Sequence, residues 1–265
     1  MTIPLLILTL ISAAGLLLFF FKKVNTTALN LLIALGAGSM IAISLVHIFP
    51  ETIEQTEYAI YAFLAGFVII YIIEELFTPH RHDHTHGDHS HEDPHEHYDH
   101  IAVVSFIAIF CHTLLDGLGI RAGMGLSEAV GYMILFGVAI HQIPVSLSLA
   151  AILRSSKLTQ NTQITLLVFF ALAAPIGYIL SDMILSHVDM HLTGLAAAFA
   201  GGSLLYVAAS DLLPMIHAQT QKKYFTIPAF ILGVAIMSLL ASHHHHEHHD
   251  QASGHTAEHE EDHHE

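Results

Sequence analysis

A chain of 265 residues that is 53% hydrophobic and only 12% charged falls well short of the roughly 25% charged residues of a soluble domain, which excludes an ordinary globule and a disordered protein. Eight Lys plus Arg stand against 23 Asp plus Glu, for a formal net charge of −15, so a nucleic-acid-binding surface is excluded as well. The single cysteine, Cys111, rules out an intramolecular disulfide framework and any Cys-rich zinc module, which leaves 25 histidines to be explained another way.

A hydrocarbon core about 30 Å thick needs roughly 20 apolar residues in a helix. Such runs are predicted near 3–21, 29–50, 57–77, 101–120, 129–154, 162–185, 191–216 and 225–242, eight spans in all. None has the short alternating pattern of a membrane β-strand. The expected fold class is an all-α integral membrane protein: residues 1–77 carry spans 1–3, 78–100 a loop, 101–242 spans 4–8, and 243–265 a tail.

In the first run Lys22 and Lys23 follow the apolar stretch, the reverse of a signal peptide, so it reads as a span with its N-terminus outside. That orientation places Lys22, Lys23, Arg81, Arg154, Lys157, Lys222 and Lys223 in the cytoplasm and only Arg121 outside, as the positive-inside rule requires. Both termini then face outward, and the expected location is a cell membrane, either a bacterial inner membrane or a plasma membrane.

Span 2 carries the small-residue run Ala34-Leu35-Gly36-Ala37-Gly38-Ser39 and ends in HIFPE, which sets His47 and Glu51 at its outer end. Small residues let helices approach closely in lipid, so this span belongs in the interior. Span 3 ends inside at Glu74 and Glu75, which read as solvated groups at the interface. The loop that follows alternates acids with His80, His82, His84, His86, His89, His91, His95, His97 and His100. It lacks apolar periodicity and is expected to be disordered without metal, to buffer ions and to lose them in mild acid as its imidazoles protonate. The tail, with ten more histidines, has the same character.

Span 4 contains Cys111-His112-Thr113-Leu114-Leu115-Asp116-Gly117, in which His112 and Asp116 are spaced i,i+4 and share one helix face. Span 5 contains His141-Gln142-Ile143-Pro144-Val145-Ser146. At about 1.5 Å per residue, His112 lies roughly 16 Å and His141 roughly 18 Å into their spans, close to the midplane. Ionisable groups at that depth are costly and mark a pathway, and two imidazoles with a carboxylate suit zinc and similar divalent ions. Gln142, Thr113 and Cys111 stand ready to add or orient a ligand; Cys111 is left as a small apolar residue. Pro144, Pro175 and Pro214 fall within spans 5, 6 and 7, where a proline frees a backbone carbonyl. Span 7 has a second small-residue run, 196–203, and brings Asp211 toward its inner end, with His217 beyond.

These motifs resemble those of the ZIP (Zrt-, Irt-like protein) metal transporters, a family with eight spans, outward termini and a His-rich cytoplasmic loop between spans 3 and 4. HTLLDG at 112–117 resembles the family's His-Asn-x-x-Asp-Gly, and HQIPVS at 141–146 its His-Glu-x-Pro-His-Glu. HIFPE resembles its His-Leu-Leu-Pro-Glu, and AGGSLLYVAASDLLP at 200–214 its span-7 run of small residues, Leu-Tyr and an acid before Leu-Pro. The resemblance implies a ZIP-like helix bundle that takes up a divalent metal. Its transport site lies between spans 4 and 5, with His112, Asp116 and His141 as ligands. His47 and Glu51 match the outer entrance and Asp211 the inner exit.

Members of the family often hold two adjacent metals. Here Thr113 replaces Asn, Gln142 replaces Glu, and Val145-Ser146 replaces His-Glu. The expectation is one mononuclear site completed by water, Gln142 or Ser146. Zn2+ is the first substrate expected, with Fe2+, Mn2+, Ni2+, Co2+ and Cd2+ open. The partners implied are the metal ion and the lipid bilayer, with a homodimer left open and nucleic acid excluded. Rival readings are a metal exporter, a metal store or sensor, and an intramembrane hydrolase; the last needs an acid or base beyond Asp116, so no enzyme is expected.

Overall fold

The computed structural model describes residues 4, 6–11, 13, 26–77, 94–217 and 223–254, and no strand occurs among them. The first predicted span is helical at the few positions described, with Leu8 buried. Helix α1 (Thr26–Ala42) runs through a π-helical segment (Ile43–Ile48) into α2 (Phe49–Gln55), and α3 (Ala59–Phe77) follows. Next come α4 (Pro94–Leu126), α5 (Glu128–Ser155) and α6 (Gln160–Leu185). α7 (Met190–Val207) runs through a second π segment (Ala208–Leu212) into α8 (Leu213–His217), and α9 (Lys223–Gly254) closes the described chain.

Six of the described helical stretches are long and apolar enough to cross a membrane, and Tyr224–Leu240 within α9 is a shorter apolar helix. The tight turns between them are set by polar caps. Ser127 Oγ accepts from the Val130 amide at 3.2 Å, and Asp189 accepts from the Leu192 amide at 2.9 Å, satisfying donors that a helix start leaves open.

Two expectations about the His-rich segments change. Helix α4 starts at Pro94, so residues 94–100, with His95, His97 and His100, have helical backbone; α9 likewise carries helix into the tail as far as Gly254. Extending an anchored helix costs far less than nucleating one, and proline suits a first helical turn. His80, His82, His84, His86, His89 and His91 lie outside the described residues.

The bundle is organised by three close helix crossings, each made by a reciprocal pair of glycines. A Cβ on Gly38 of α1 would overlap the Phe230 carbonyl of α9, and one on Gly233 the Leu35 carbonyl of α1. Gly66 of α3 meets the Phe199 carbonyl of α7, while Gly202 meets that of Phe63. Gly117 of α4 meets the Ala174 carbonyl of α6, and Gly177 that of Leu114. Each pair brings two backbones closer than any side chain permits, which is how helices gain contact where lipid supplies no hydrophobic drive. The span-2 and span-7 helices are interior, as expected, with two thirds of each apolar stretch (67%) buried, against 17% for α3.

Both π segments end two residues before a proline, Pro50 and Pro214. Proline brings no N–H and its ring clashes with the carbonyl one turn back, so one wider turn relieves the ladder. Helix α5 packs chiefly against α4 and α1.

Candidate metal centre

The i,i+4 spacing on α4 sets His112 and Asp116 on one face, and the antiparallel α5 brings His141 against them. Asp116 Oδ2 lies 3.3 Å from His141 Nε2 and 3.5 Å from His112 Nε2. One ligand atom from each residue falls within 4.8 Å of the others, and the trio is the one His, Cys, Asp or Glu cluster of metal-binding geometry among the described residues. The two imidazole rings are tilted at 44° with centroids 5.7 Å apart. His141 is fully buried, Asp116 is 2% exposed and His112 is 8% exposed.

The hydrogen bonding explains why these atoms suit a cation. His141 Nδ1 donates to the Gly137 carbonyl at 3.0 Å. That bond fixes the ring and turns Nε2 toward the Asp116 carboxylate, the arrangement that orients a metal-ligating imidazole. Two imidazole nitrogens and a carboxylate oxygen converging in a buried space suit a positive charge between them. Neither nitrogen of His112 has a hydrogen-bond partner among the described residues, so it too is available.

A cavity of 410 Å³ begins at His112 and runs between α3, α4, α5 and the second π segment. Six waters at about 30 Å³ each occupy ~180 Å³, so the space admits a hydrated ion. Beyond His112, its polar side chains are Glu74, Ser105, Ser148 and Ser210. Of the three clustered ligands only His112 reaches this cavity; Asp116 and His141 lie behind it.

The remaining predicted residues fall as follows. Gln142 and Thr113 are fully buried, and neither the Gln142 amide nor the Thr113 hydroxyl has a partner among the described residues. Ser146 donates to the Ile143 carbonyl at 2.8 Å and is already engaged. Cys111 is only partly buried and stands outside the cluster. His47, in the first π segment, is buried with its Nε2 2.8 Å from the Met237 carbonyl of α9. Glu51 lies half-buried in the first turn of α2. Asp211 lies in the second π segment, between Ser210 and Leu212 of the cavity wall.

Glu74 is the departure from expectation: it lines the cavity rather than merely solvating a helix end, while its neighbour Glu75 is exposed. At the other end of α4, Arg121 Nε donates to Asp182 Oδ1 of α6 at 2.6 Å.

Residues 77–241 match the family described as ZIP Zinc transporter. Over 159 residues the chain is 28% identical to zinc transporter ZIP9 of Micropogonias undulatus, which covers 57% of this chain and 49% of that protein. It is 25% identical over 259 residues to zinc transporter zipt-7.1 of Caenorhabditis briggsae, covering 75% and 65%. It is 27% identical over 238 residues to zinc transporter ZupT of Stenotrophomonas maltophilia, covering 85% and 88%. The chain thus spans about half to two thirds of the first two and most of the third.

Proposed function

The chain belongs to the ZIP zinc transporter family, a family of multi-pass membrane proteins, and from that premise we propose that it carries divalent metal ions, zinc foremost, into the cytoplasm. The observation that carries the reading is the buried meeting of His112, Asp116 and His141, with His112 opening onto a cavity that also holds Glu74. Three protein ligands with open positions bind an ion firmly enough to enter and loosely enough to leave. A hydrolase would need a second acid or base at the metal, and the described cluster offers Asp116 alone.

Charge supports the orientation of this reading. The cavity runs toward the end of the bundle that carries Glu74, Arg154 and Lys157, the cytoplasmic end by the positive-inside rule. We read this as a form facing the cytoplasm, with eight spans and both termini outside. Glu74 and Asp211 receive the released ion, and loop 78–100 then holds it. His47 and Glu51 mark the entrance, and the bond from His47 to Met237 fits an outer side that is closed in this form. Water retained beside Gln142 completes the shell of a single ion.

Reconstitution of the full chain into liposomes tests the reading. Zinc uptake is expected for the parent protein and its loss for His112→Ala at equal insertion; undiminished uptake by that variant sinks the site.

A further inference from the structure

Gln142 and Thr113 each follow a histidine of the metal cluster by one residue. Helices α4 and α5 run antiparallel, and both are right-handed. A residue one position after each facing histidine therefore turns about 100° to the same flank of the pair. Packing further along that flank bears this out. Leu149 and Leu153 of α5, seven and eleven residues after Gln142, pack in one cluster with Ala102 of α4, eleven before Thr113. Leu167 and Phe170 of α6 close the cluster.

Two neutral polar side chains thus occupy a dry flank beside the metal ligands. Both are fully exposed to neither water nor lipid, being 0% accessible, and neither has a hydrogen-bond partner among the described residues. Burying such groups unpaired is unfavourable, so an occupant of the centre must satisfy them.

The chemistry of that occupant is constrained. A water bound to a metal spends its lone pair on the ion and presents two protons, and it needs two acceptors. Gln142 Oε1 and Thr113 Oγ1 supply them. A second divalent ion is disfavoured, because Asp116 is the one carboxylate of the cluster and a neutral amide and hydroxyl offset no charge.

Resting on the transport reading above, we propose that Gln142 and Thr113 are positioning residues that hold a water on the transported ion and thereby set its selectivity. With two imidazoles, one carboxylate and neutral water, the centre takes late first-row ions that gain from nitrogen ligands, such as Zn2+ and Co2+. It rejects Mn2+, which relies on anionic oxygen.

The test is uptake of Zn2+ and Mn2+ by the full chain in liposomes, normalised to inserted protein. Gln142→Glu restores an anionic oxygen, and the Mn2+-to-Zn2+ ratio is expected to rise about tenfold, the scale on which outer partners tune a metal site. Gln142→Leu and Thr113→Val remove the acceptors, and their KM for Zn2+ is expected to rise by about the same factor with kcat held or raised. A loss of packing alone does not move the metal ratio.

A Mn2+-to-Zn2+ ratio for Gln142→Glu equal to that of the parent overturns the proposal, as does an unchanged Zn2+ KM in both Gln142→Leu and Thr113→Val. Should Gln142→Glu fail to insert, the KM of the other two variants decides. Absence of uptake by the parent chain itself overturns the transport reading, and this inference with it.

Discussion

His141 hydrogen-bonds through Nδ1 to the carbonyl of Gly137, one turn earlier on its own helix, at 3.0 Å. This local bond, closed within α5, decides the chemistry of a site assembled from two helices. It commits one ring nitrogen to the backbone and sets the other, Nε2, 3.3 Å from Asp116 Oδ2.

Asp116 supplies the one negative charge of the cluster, so Asp116→Asn tests charge with shape preserved. Zinc KM is expected to rise at least about tenfold, equivalent to ~1.4 kcal/mol of lost binding. Saturation kinetics in liposomes measure it, and an unchanged KM removes Asp116 from the ligand set.

Glu74 lies in the cavity that leads from His112 but outside the ligand cluster. Glu74→Gln is therefore expected to slow release, lowering kcat several-fold while KM moves little. A variant whose KM alone changes would instead assign Glu74 to the binding step.

The glycine crossings separate tolerant positions from intolerant ones. A methyl group on Gly36 would meet Ile140 Cγ2 at 3.4 Å and His141 Cβ at 3.5 Å, ordinary contact distances, whereas one on Gly202 would overlap the Phe63 backbone. Gly36→Ala is expected to keep its thermal midpoint in detergent. Gly202→Ala is expected to lose about 1–3 kcal/mol, the usual penalty of overpacking, or to fail to insert. Equal midpoints for the two would show that α3 and α7 can separate without cost.

Nineteen of the 25 histidines lie in segments 78–100 and 243–265. Imidazole in solvent titrates near pH 6.5, so about nine tenths of such rings are protonated at pH 5.5 and lose their ligand lone pair. Metal bound by the purified chain, read by equilibrium dialysis, is expected to fall to a small fraction between pH 7.5 and pH 5.5. A stoichiometry unaffected by acid would take those segments out of metal binding.

The meeting of His112, Asp116 and His141 was legible because its information is local. An i,i+4 pair on α4 and a depth-matched histidine on the next, antiparallel helix meet by helical geometry alone. The small-residue runs in spans 2 and 7 likewise marked their burial. Partners were not legible, since helices that are apolar all round carry no stripe saying which neighbour each face meets. Hence Gly66 and Gly233 gave no warning of the crossings they make, and nothing near His47 pointed to Met237, 190 residues away. Glu74 read as interfacial because the cavity beside it is built by α4, α5 and the second π segment together. The π segments had one signal, the prolines two residues beyond them, but a proline says that a ladder must yield and not how.

The glycine crossings join α1 to α9, α3 to α7 and α4 to α6, so they nest like brackets around α5. A chain synthesised from its N-terminus must therefore leave the glycine face of α1 without its partner until α9 has been inserted. Helices α4 and α5, which carry His112, Asp116 and His141, come together midway, and the innermost bracket closes first. Order of assembly is written into the pairing: α4 and α6 can close around α5 first, and the outer frame locks only once α9 is in place.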